Sequence, residues 1–359
     1  MDFIIKNALK TAEESDPIVD SDVGQANIKV IGVGGGGSNI VNWLYKKGIK
    51  GAEIFAANTD QQHLDLTEAD GKVLIGRDLT KGLGAGGYPN VGMEAAKESA
   101  HDLKEFMKDA DMVFVCAGMG GGTGTGAAPV IARLAKEIGA IVIGTVTMPL
   151  DIEKARIDKA EFGLQQLREV SDTVIVIDNN RLVKIAGQLP LKQAFAVANE
   201  LVSTMIKGIV ETIAVPSLVN LDYADVKAIM TDGGVSIVGI GESNSEDRVE
   251  EAVKRALTNP LLDVDYTGAS GALIHITGGE DLTLEEVSKV GDLVTEALDP
   301  DAQVIWGARI EEGSMEGQLR VMTIITGVNS PYILGKNDNV VSAANDAVLN
   351  KELGIETLR

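Results

Sequence analysis

Residues 112–135 read MVFVCAGMGGGTGTGAAPVIARLA, and this stretch decides the fold. Met112 to Ala117 is a short apolar run with β-branched residues, the pattern of a buried strand. Gly118 to Gly126 holds six glycines in nine positions, with Thr123 and Thr125 between them. From Ala127 the spacing turns helical, and Pro129 is expected in the first turn, where its missing N–H costs least. Strand, glycine loop and helix N-terminus together make an anion site. Backbone without Cβ atoms can approach a phosphate closely, and the unpaired N–H groups of the helix start point at it. A plain tight turn needs only one or two glycines.

The same succession occurs upstream. IKVIGVGGGGSNIVNWLYKKG spans 28–48, and Gly32, Gly34 and Gly37 satisfy the dinucleotide fingerprint G-x-G-x-x-G. The next strand, Glu53 to Ala57, ends in Asn58-Thr59-Asp60, so Asp60 stands where a dinucleotide site wants a ribose-binding acid. An NAD-binding reading therefore stays open at this point. A third glycine loop, KGLGAGG, covers 81–87 and precedes a helical stretch from about Val91 to Ala110. Three such loops before residue 127 favour one ligand wrapped by several phosphate-binding turns, a nucleoside triphosphate. The G-x-x-x-x-G-K-[ST] pattern of P-loop enzymes does not occur.

Composition narrows the class. The 359 residues suggest two domains at ~100–200 residues each. The chain has 41 glycines and 4% aromatics, which fits an α/β protein with many tight strand-to-helix turns. Its 32 basic and 53 acidic residues give a net charge of −21, which argues against nucleic acid or an anionic membrane as direct partners. Local positive potential for a polyanionic ligand must then come from backbone N–H groups, helix dipoles and a metal cation. Cys116 is the only cysteine, so no disulfide forms within the chain and a reducing cytoplasm fits. No signal peptide and no apolar run of ~18 residues is evident.

Further along, Ile141 to Thr147 and Thr173 to Ile177 read as strands, with Glu153 and Arg156 on a helix between them. Strands alternate with helices, so the sheet should be mainly parallel, with ligands at the carboxyl ends of its strands. Leu191 to Val215 is the longest helical pattern. Phe195, Val197, Leu201, Met205, Ile206, Ile209, Val210 and Ile213 spread over most of its surface, which predicts a buried central strut. Asn220, Asp222 and Asp225 crowd the loop-to-helix junction that follows. There, Asp222 is either a helix cap or a catalytic acid. From Val235 to Gly327 comes a four-stranded α/β unit without glycine loops. His275 is expected to be a satisfied core histidine. Residues 1–27 form an extension with Phe3, Ile4, Ala8 and Leu9 on one helical face, and a polar linker from 329 leads to Leu353–Arg359. The expected divisions are 1–27, 28–190, 191–216, 217–328 and 329–359.

GMGGGTGTG at 118–126 resembles the signature loop of the tubulin/FtsZ family. GVGGGGSN at 32–39, NTD at 58–60, GLGAGG at 82–87 and NLDYADV at 220–226 match FtsZ in the same order, from about Ile28 to Gly327. EKAR at 153–156, DNNRL at 178–182 and SLVNLDYADV at 217–226 are similar to the second archaeal FtsZ paralogue. The resemblance implies a Rossmann-like, mainly parallel α/β GTPase domain, a long central helix and a smaller second α/β domain. It implies a cytoplasmic GTPase that assembles head to tail into the mid-cell division ring. It places Gly35, Gly36, Gly37, Ser38 and Asn39 around the phosphates, and Ala85, Gly86 and Gly87 at the γ-phosphate. Gly122, Thr123 and Gly124 would hold the α- and β-phosphates, with Gly121 and Thr125 also in the nucleotide site. Glu153 and Arg156 would meet the sugar and phosphate side, Asn179 and Asn199 the guanine, with Asn58 and Asp60 also in the nucleotide site. Mg²⁺ is expected to be held by nucleotide and water rather than by protein ligands. Asp222 and Asp225, with Asn220, would complete hydrolysis.

A helix of some 17 residues at ~1.5 Å each separates Asn199 from Pro216 by ~25 Å. If Asn199 touches the base, the aspartates of the same chain sit far from its γ-phosphate and act on a neighbour's nucleotide. The resemblance also implies an adaptor of SepF-like or FtsA-like type that grips Leu353–Arg359 and supplies the membrane tether. It admits a second FtsZ paralogue as a further partner. Three positions depart from the usual pattern: Glu153 and Arg156 are only three apart, Tyr88 stands where Asn is usual, and Asp178 replaces Pro. A GTP-binding filament protein that does not hydrolyse, and an NAD-dependent oxidoreductase using Gly32 to Gly37, are the competing readings.

Overall fold

Strands β1 (Ile28–Val33) and β4 (Met112–Gly118) lie side by side and parallel, inside the sheet. β1 is buried along its whole length, as is β4 up to its last residue. This explains why both read as continuous apolar runs without alternation. The computed structural model describes residues 26–215, 217–219, 221–231, 233–258, 266–296, 298–311, 313 and 315–328. The expected N-terminal helical face, Asn220 and the C-terminal peptide 353–359 lie outside the described residues.

Ten strands form one sheet in the order β3-β2-β1-β4-β5-β6-β7-β10-β8-β9. The remaining strands are β2 (Ala52–Asn58), β3 (Gly71–Leu74), β5 (Ile141–Met148), β6 (Thr173–Asp178), β7 (Gly234–Ser243), β8 (Gly271–Gly278), β9 (Gln303–Ile310) and β10 (Leu319–Thr326). All pairs from β3 to β7 are parallel, as expected for strands joined through helices. The C-terminal unit departs from that expectation, because β10 runs antiparallel to both β7 and β8. Among the described residues, the sheet is continuous across the halves through two β6–β7 pairs, Thr173–Gly234 and Val174–Val235.

In chain order the helices are α1 (Gly34–Lys47), α2 (Gln61–Leu66), α3 (Arg77–Thr80), α4 (Pro89–Glu98), α5 (Ala100–Phe106), α6 (Thr123–Glu137), α7 (Ile157–Val170) and α8 (Asn179–Ala186). They continue with α9 (Leu191–Ala214), α10 (Tyr223–Met230), α11 (Arg248–Leu257) and α12 (Leu284–Thr295). The stretch read as one helix over 91–110 is two, broken at Ser99, whose hydroxyl accepts a hydrogen bond from the Gly76 amide at 3.0 Å. α6 begins four residues earlier than expected, so Pro129 lies in its second turn instead of its first. The glycines of the signature are thus part helix.

α9 is the strut between the halves. On one side Trp43 Nε1 donates to Glu200 Oε2 at 2.7 Å, Lys47 pairs with Glu200, and Lys207 donates to the Gly48 carbonyl at 2.8 Å. Its buried face carries Ala198, Val202, Met205, Ile206, Ile209 and Val210. Phe195 is not part of that face; it is 40% exposed.

A second apolar cluster lies between the C-terminal sheet and α11 and α12, with Val249, Val253, Ile274, Ile276, Val290 and Val321 at its centre. α11 comes so close that a Cβ on Gly241 would stand 1.9 Å from the Ala252 carbonyl oxygen. His275 on β8 is buried as expected, but its Nε2 has no hydrogen-bond partner among the described residues. Burial, helped by Arg309 and Arg320, pushes this imidazole down to about 4. Cys116 is fully buried, and burial pushes its thiol up to about 12, so it is chemically quiet.

Candidate functional site

The carboxyl end of β1 runs straight into a helix, and that of β4 reaches one through Met119 to Gly122. α1 follows Val33 and α6 follows Gly122. Neither helix has a side-chain cap or an acid in its first turn. Their first N–H groups are therefore left for a ligand, and both positive helix ends face the same place. Between them opens a cleft of about 420 Å³.

Its phosphate-sized floor is backbone. Gly35, Gly36, Gly121, Gly122, Thr123 and Gly124 line it, and Asn39 closes one side. A Cβ on Gly35 or on Gly121 would meet nothing within 4 Å, so these positions look into open space. The fingerprint glycines behave differently. Gly34 takes φ +68° to turn the strand into the helix, while a Cβ on Gly37 would stand 2.2 Å from the Cys116 carbonyl oxygen. They let α1 lie against β4, a requirement of packing that any nucleotide fold of this kind shares. Ser38 is buried just below, and its hydroxyl has no partner among the described residues. Uncapped helix starts, open glycines and an unpaired buried hydroxyl all fit a polyphosphate.

The opposite wall comes from β5, β6 and α9. Thr147 and Met148 end β5, Pro149 follows, and a 3₁₀ turn, Asp151–Arg156, carries Glu153 and Arg156 to the cleft. Arg156 Nη1 donates to Glu153 Oε2 at 2.6 Å, and the Leu150 amide donates to Glu153 Oε1 at 3.0 Å. The short Glu153–Arg156 spacing thus yields an ion pair at the cleft wall. Asn179 at the end of β6 and Asn199 on α9 both line the wall, with Phe195 one turn before Asn199. Two amides, each a donor and an acceptor, beside an exposed ring form a surface suited to a purine.

Other expected site residues lie off the cleft wall. The Thr125 hydroxyl accepts from the Gly120 amide at 2.9 Å and holds the loop. Asp60 caps α2 by accepting from the His63 amide at 3.1 Å. Asn58 is buried, with its amide 3.3 Å from His63 Nδ1. Ala85, Gly86 and Gly87 stand over the second loop. A Cβ on Gly122 would come within 2.8 Å of Ala85 Cβ. This third loop does not end a strand as the first two do; α3 intervenes. It is instead tied to the end of β2, where Gly84 N donates to the Thr59 carbonyl at 3.0 Å. Thr147, Met148, Pro149 and Phe195 were not singled out as ligands in the sequence. Phe195 carries a signal, since it lies four residues before Asn199, but in the sequence it also fits the apolar stripe of its helix.

Asp222 and Asp225 are elsewhere. Asp222 caps α10 by accepting from the Asp225 amide at 2.8 Å. Between them, Tyr223 donates its hydroxyl to the Asp111 carbonyl at 2.7 Å. Burial, with Asp111 and Asp172, pushes this phenol up to about 12, so it remains a donor. Asp111 directly precedes β4, whereas the phosphate loop follows it. A seven-residue strand at ~3.3 Å per residue separates the two by ~20 Å. The aspartates therefore sit at the end of the sheet opposite the cleft.

Comparison with known proteins agrees with this geometry. The family described as "Tubulin/FtsZ family, GTPase domain" matches residues 27–187, and "FtsZ family, C-terminal domain" matches 234–329. Cell division protein FtsZ 2 of Methanocaldococcus jannaschii is 56% identical over 337 residues, covering 93% of this chain and 88% of the relative. FtsZ 2 of Halobacterium salinarum is 52% identical, covering 93% and 86%. A solved empty FtsZ dimer from M. jannaschii, 46% identical, superposes with a TM-score of 0.79 over 92% of this chain and 97% of that one. Matched in order by both family domains, and at more than half identity along nearly its whole length, the chain belongs to the tubulin/FtsZ family of GTPases.

Proposed function

We propose that this chain is a cell-division GTPase that hydrolyses GTP between stacked copies of itself. The observation that carries the reading is the separation of the cleft from Asp222 and Asp225 by the length of β4. In this reading Gly35, Gly36, Gly37, Ser38 and Asn39 hold phosphates from the first loop, and Gly121 to Thr125 from the second. Of these, Gly37 and Thr125 act indirectly, by shaping the loops from behind the wall. Ala85, Gly86 and Gly87 meet the γ-phosphate, while Asn58 and Asp60 anchor the loop that carries them. Glu153 and Arg156 face the sugar, Asn179 and Asn199 read the base, and Phe195 stacks on it.

Phosphoryl transfer to water needs charge neutralisation and an oriented, in-line water. The two helix starts supply positive potential that an acidic surface cannot. In this reading Mg²⁺ is held by phosphate oxygens and water, as the family resemblance implies. When bound there it neutralises phosphate charge. Asp222 and Asp225 of the next copy, with Asn220, hold the attacking water. The contact is heterologous, so it propagates into a filament. The filament serves at the division site, with the adaptor of SepF-like or FtsA-like kind on residues 353–359.

Complementation tests the reading. An Asp222→Asn chain and a Gly122→Ser chain should each lack GTPase activity alone. Mixed, the first supplies the nucleotide and the second the aspartate, and activity should return in part. Mixed filaments visible by electron microscopy without phosphate release would refute the assignment.

A further inference from the structure

The third glycine loop ends in a turn. Gly86 and Gly87 take φ +60° and +77°, and the Tyr88 amide donates to the Ala85 carbonyl at 3.0 Å. Positive φ at both central positions is the mark of a type I′ turn. The turn leaves the Gly86 and Gly87 amides without an acceptor among the described residues. The start of the loop is held by backbone, through Gly84 to Thr59 and through the Gln61 amide to the Gly82 carbonyl at 3.0 Å.

The end of the loop runs into α4, where the Tyr88 carbonyl accepts from the Val91 and Gly92 amides at 3.1 and 3.3 Å, and one side chain reaches the turn itself. Lys159, in the first turn of α7, donates from Nζ to the Gly87 carbonyl at 2.8 Å. The same ammonium lies 5.7 Å from the centroid of the Tyr88 ring. Among the described residues no other side chain hydrogen-bonds residues 82–88. Lys159 is also one turn on from Arg156, which lines the cleft. The start of α7 therefore touches both the wall of the nucleotide cleft and the loop above it.

We infer that Lys159 is a positioning residue for triphosphate recognition: by holding the Gly87 carbonyl toward α7, it fixes the Ala85–Tyr88 turn with its free amides available to the γ-phosphate. This rests on the assignment of Ala85–Gly87 to that phosphate. The physical need is plain. Two consecutive glycines have many conformations of similar energy, and most would turn a carbonyl, not an amide, toward the phosphate. A tether on one carbonyl selects among them. The ring of Tyr88 adds a second hold on the same ammonium. On that assignment a diphosphate lacks the group that meets the loop, so the tether should discriminate between GTP and GDP.

Binding of GTP and GDP to the full chain, at concentrations too low for assembly, is measured by displacement of a fluorescent GDP analogue. Lys159→Met should weaken GTP by about tenfold, the value of one charge-assisted hydrogen bond, and leave GDP within about twofold. Lys159→Arg should restore most of the preference, since guanidinium can both donate to the carbonyl and lie on the ring. A parallel loss for both nucleotides, or unchanged GTP binding, would overturn the inference. Gly86→Ala, which strains the turn directly, separates the two claims. If it shifts the GTP-to-GDP ratio and Lys159→Met does not, the lysine has no such role and the loop assignment stands. If neither variant shifts the ratio, the loop assignment itself is wrong.

Discussion

Asp222 accepts the Asp225 amide at the start of α10, a task that asparagine performs equally well. This separates its structural work from its chemical work. Asp222→Asn should keep the melting temperature of the parent and lose GTP turnover. Asp222→Ala should lose turnover and also about 1 kcal/mol of stability, the usual value of a helix cap, read by denaturant unfolding. Full activity in the asparagine variant would leave the residue as a cap alone. The first glycine loop allows a second contrast. Gly35→Ala projects its methyl into the open cleft, so it should weaken nucleotide binding and leave unfolding unchanged. Gly37→Ala drives its methyl into the Cys116 carbonyl, so it should lower the melting temperature before any question of binding arises. Calorimetry on both variants checks the pair. The sequence marks all these glycines alike, because composition shows where the backbone is freed but not whether ligand or neighbouring strand fills the space. Phe195 is hidden for a related reason: on a helix rich in apolar residues on most sides, one exposed ring cannot be told from the buried aliphatic side chains.

Elements were legible in proportion to their burial. β1, β4, β5 and β6 are central strands with apolar runs too long to mistake, and α9 announces itself by length. β3, α2 and α3 are short and marginal to the sheet, with too few apolar positions to set a period. The break at Ser99 depends on a bond to Gly76, far away in sequence, and nothing local signals it. The antiparallel β10 was missed because a connection's direction is not written in a strand's own residues. β8 carries a testable element-level consequence in His275, whose imidazole is neutral in the fold well below its usual 6.5. Between about pH 6.5 and pH 4 the unfolded chain binds a proton that the folded chain refuses. The contribution of this group to stability is therefore fully present above pH 6.5 and falls away as the pH drops toward 4. Thermal melts from pH 7 to pH 4 should decline less steeply for His275→Leu than for the parent. Equal slopes would show that another group sets the acid limb.

At the scale of the whole molecule, one sheet carries two unlike ends. The nucleotide loops leave the carboxyl ends of β1, β4, β5 and β6, while Tyr223 pins the aspartate helix to the residue before β4. The sequence revealed the glycine loops and the long helix, and so the separation, but not the pin: a tyrosine hydroxyl on a distant carbonyl leaves no pattern. Residues 350–359 lie outside the described residues, and their assigned role belongs to the assembly. Deleting them should leave GTP turnover and filaments intact while abolishing recruitment to vesicles coated with adaptor, as measured by co-sedimentation. The bond between Tyr223 and Asp111 then has an arithmetic consequence for the proposed stacking. A row of n copies completes only n − 1 reaction centres, and a lone copy completes none. Turnover per chain must therefore climb steeply from zero as copies associate and level off in long rows. One terminus keeps an unspent nucleotide open to exchange, while the other presents a pair of acids with nothing to cut. In the proposed stacking, a single strand's length thus makes the two termini of a row chemically unlike.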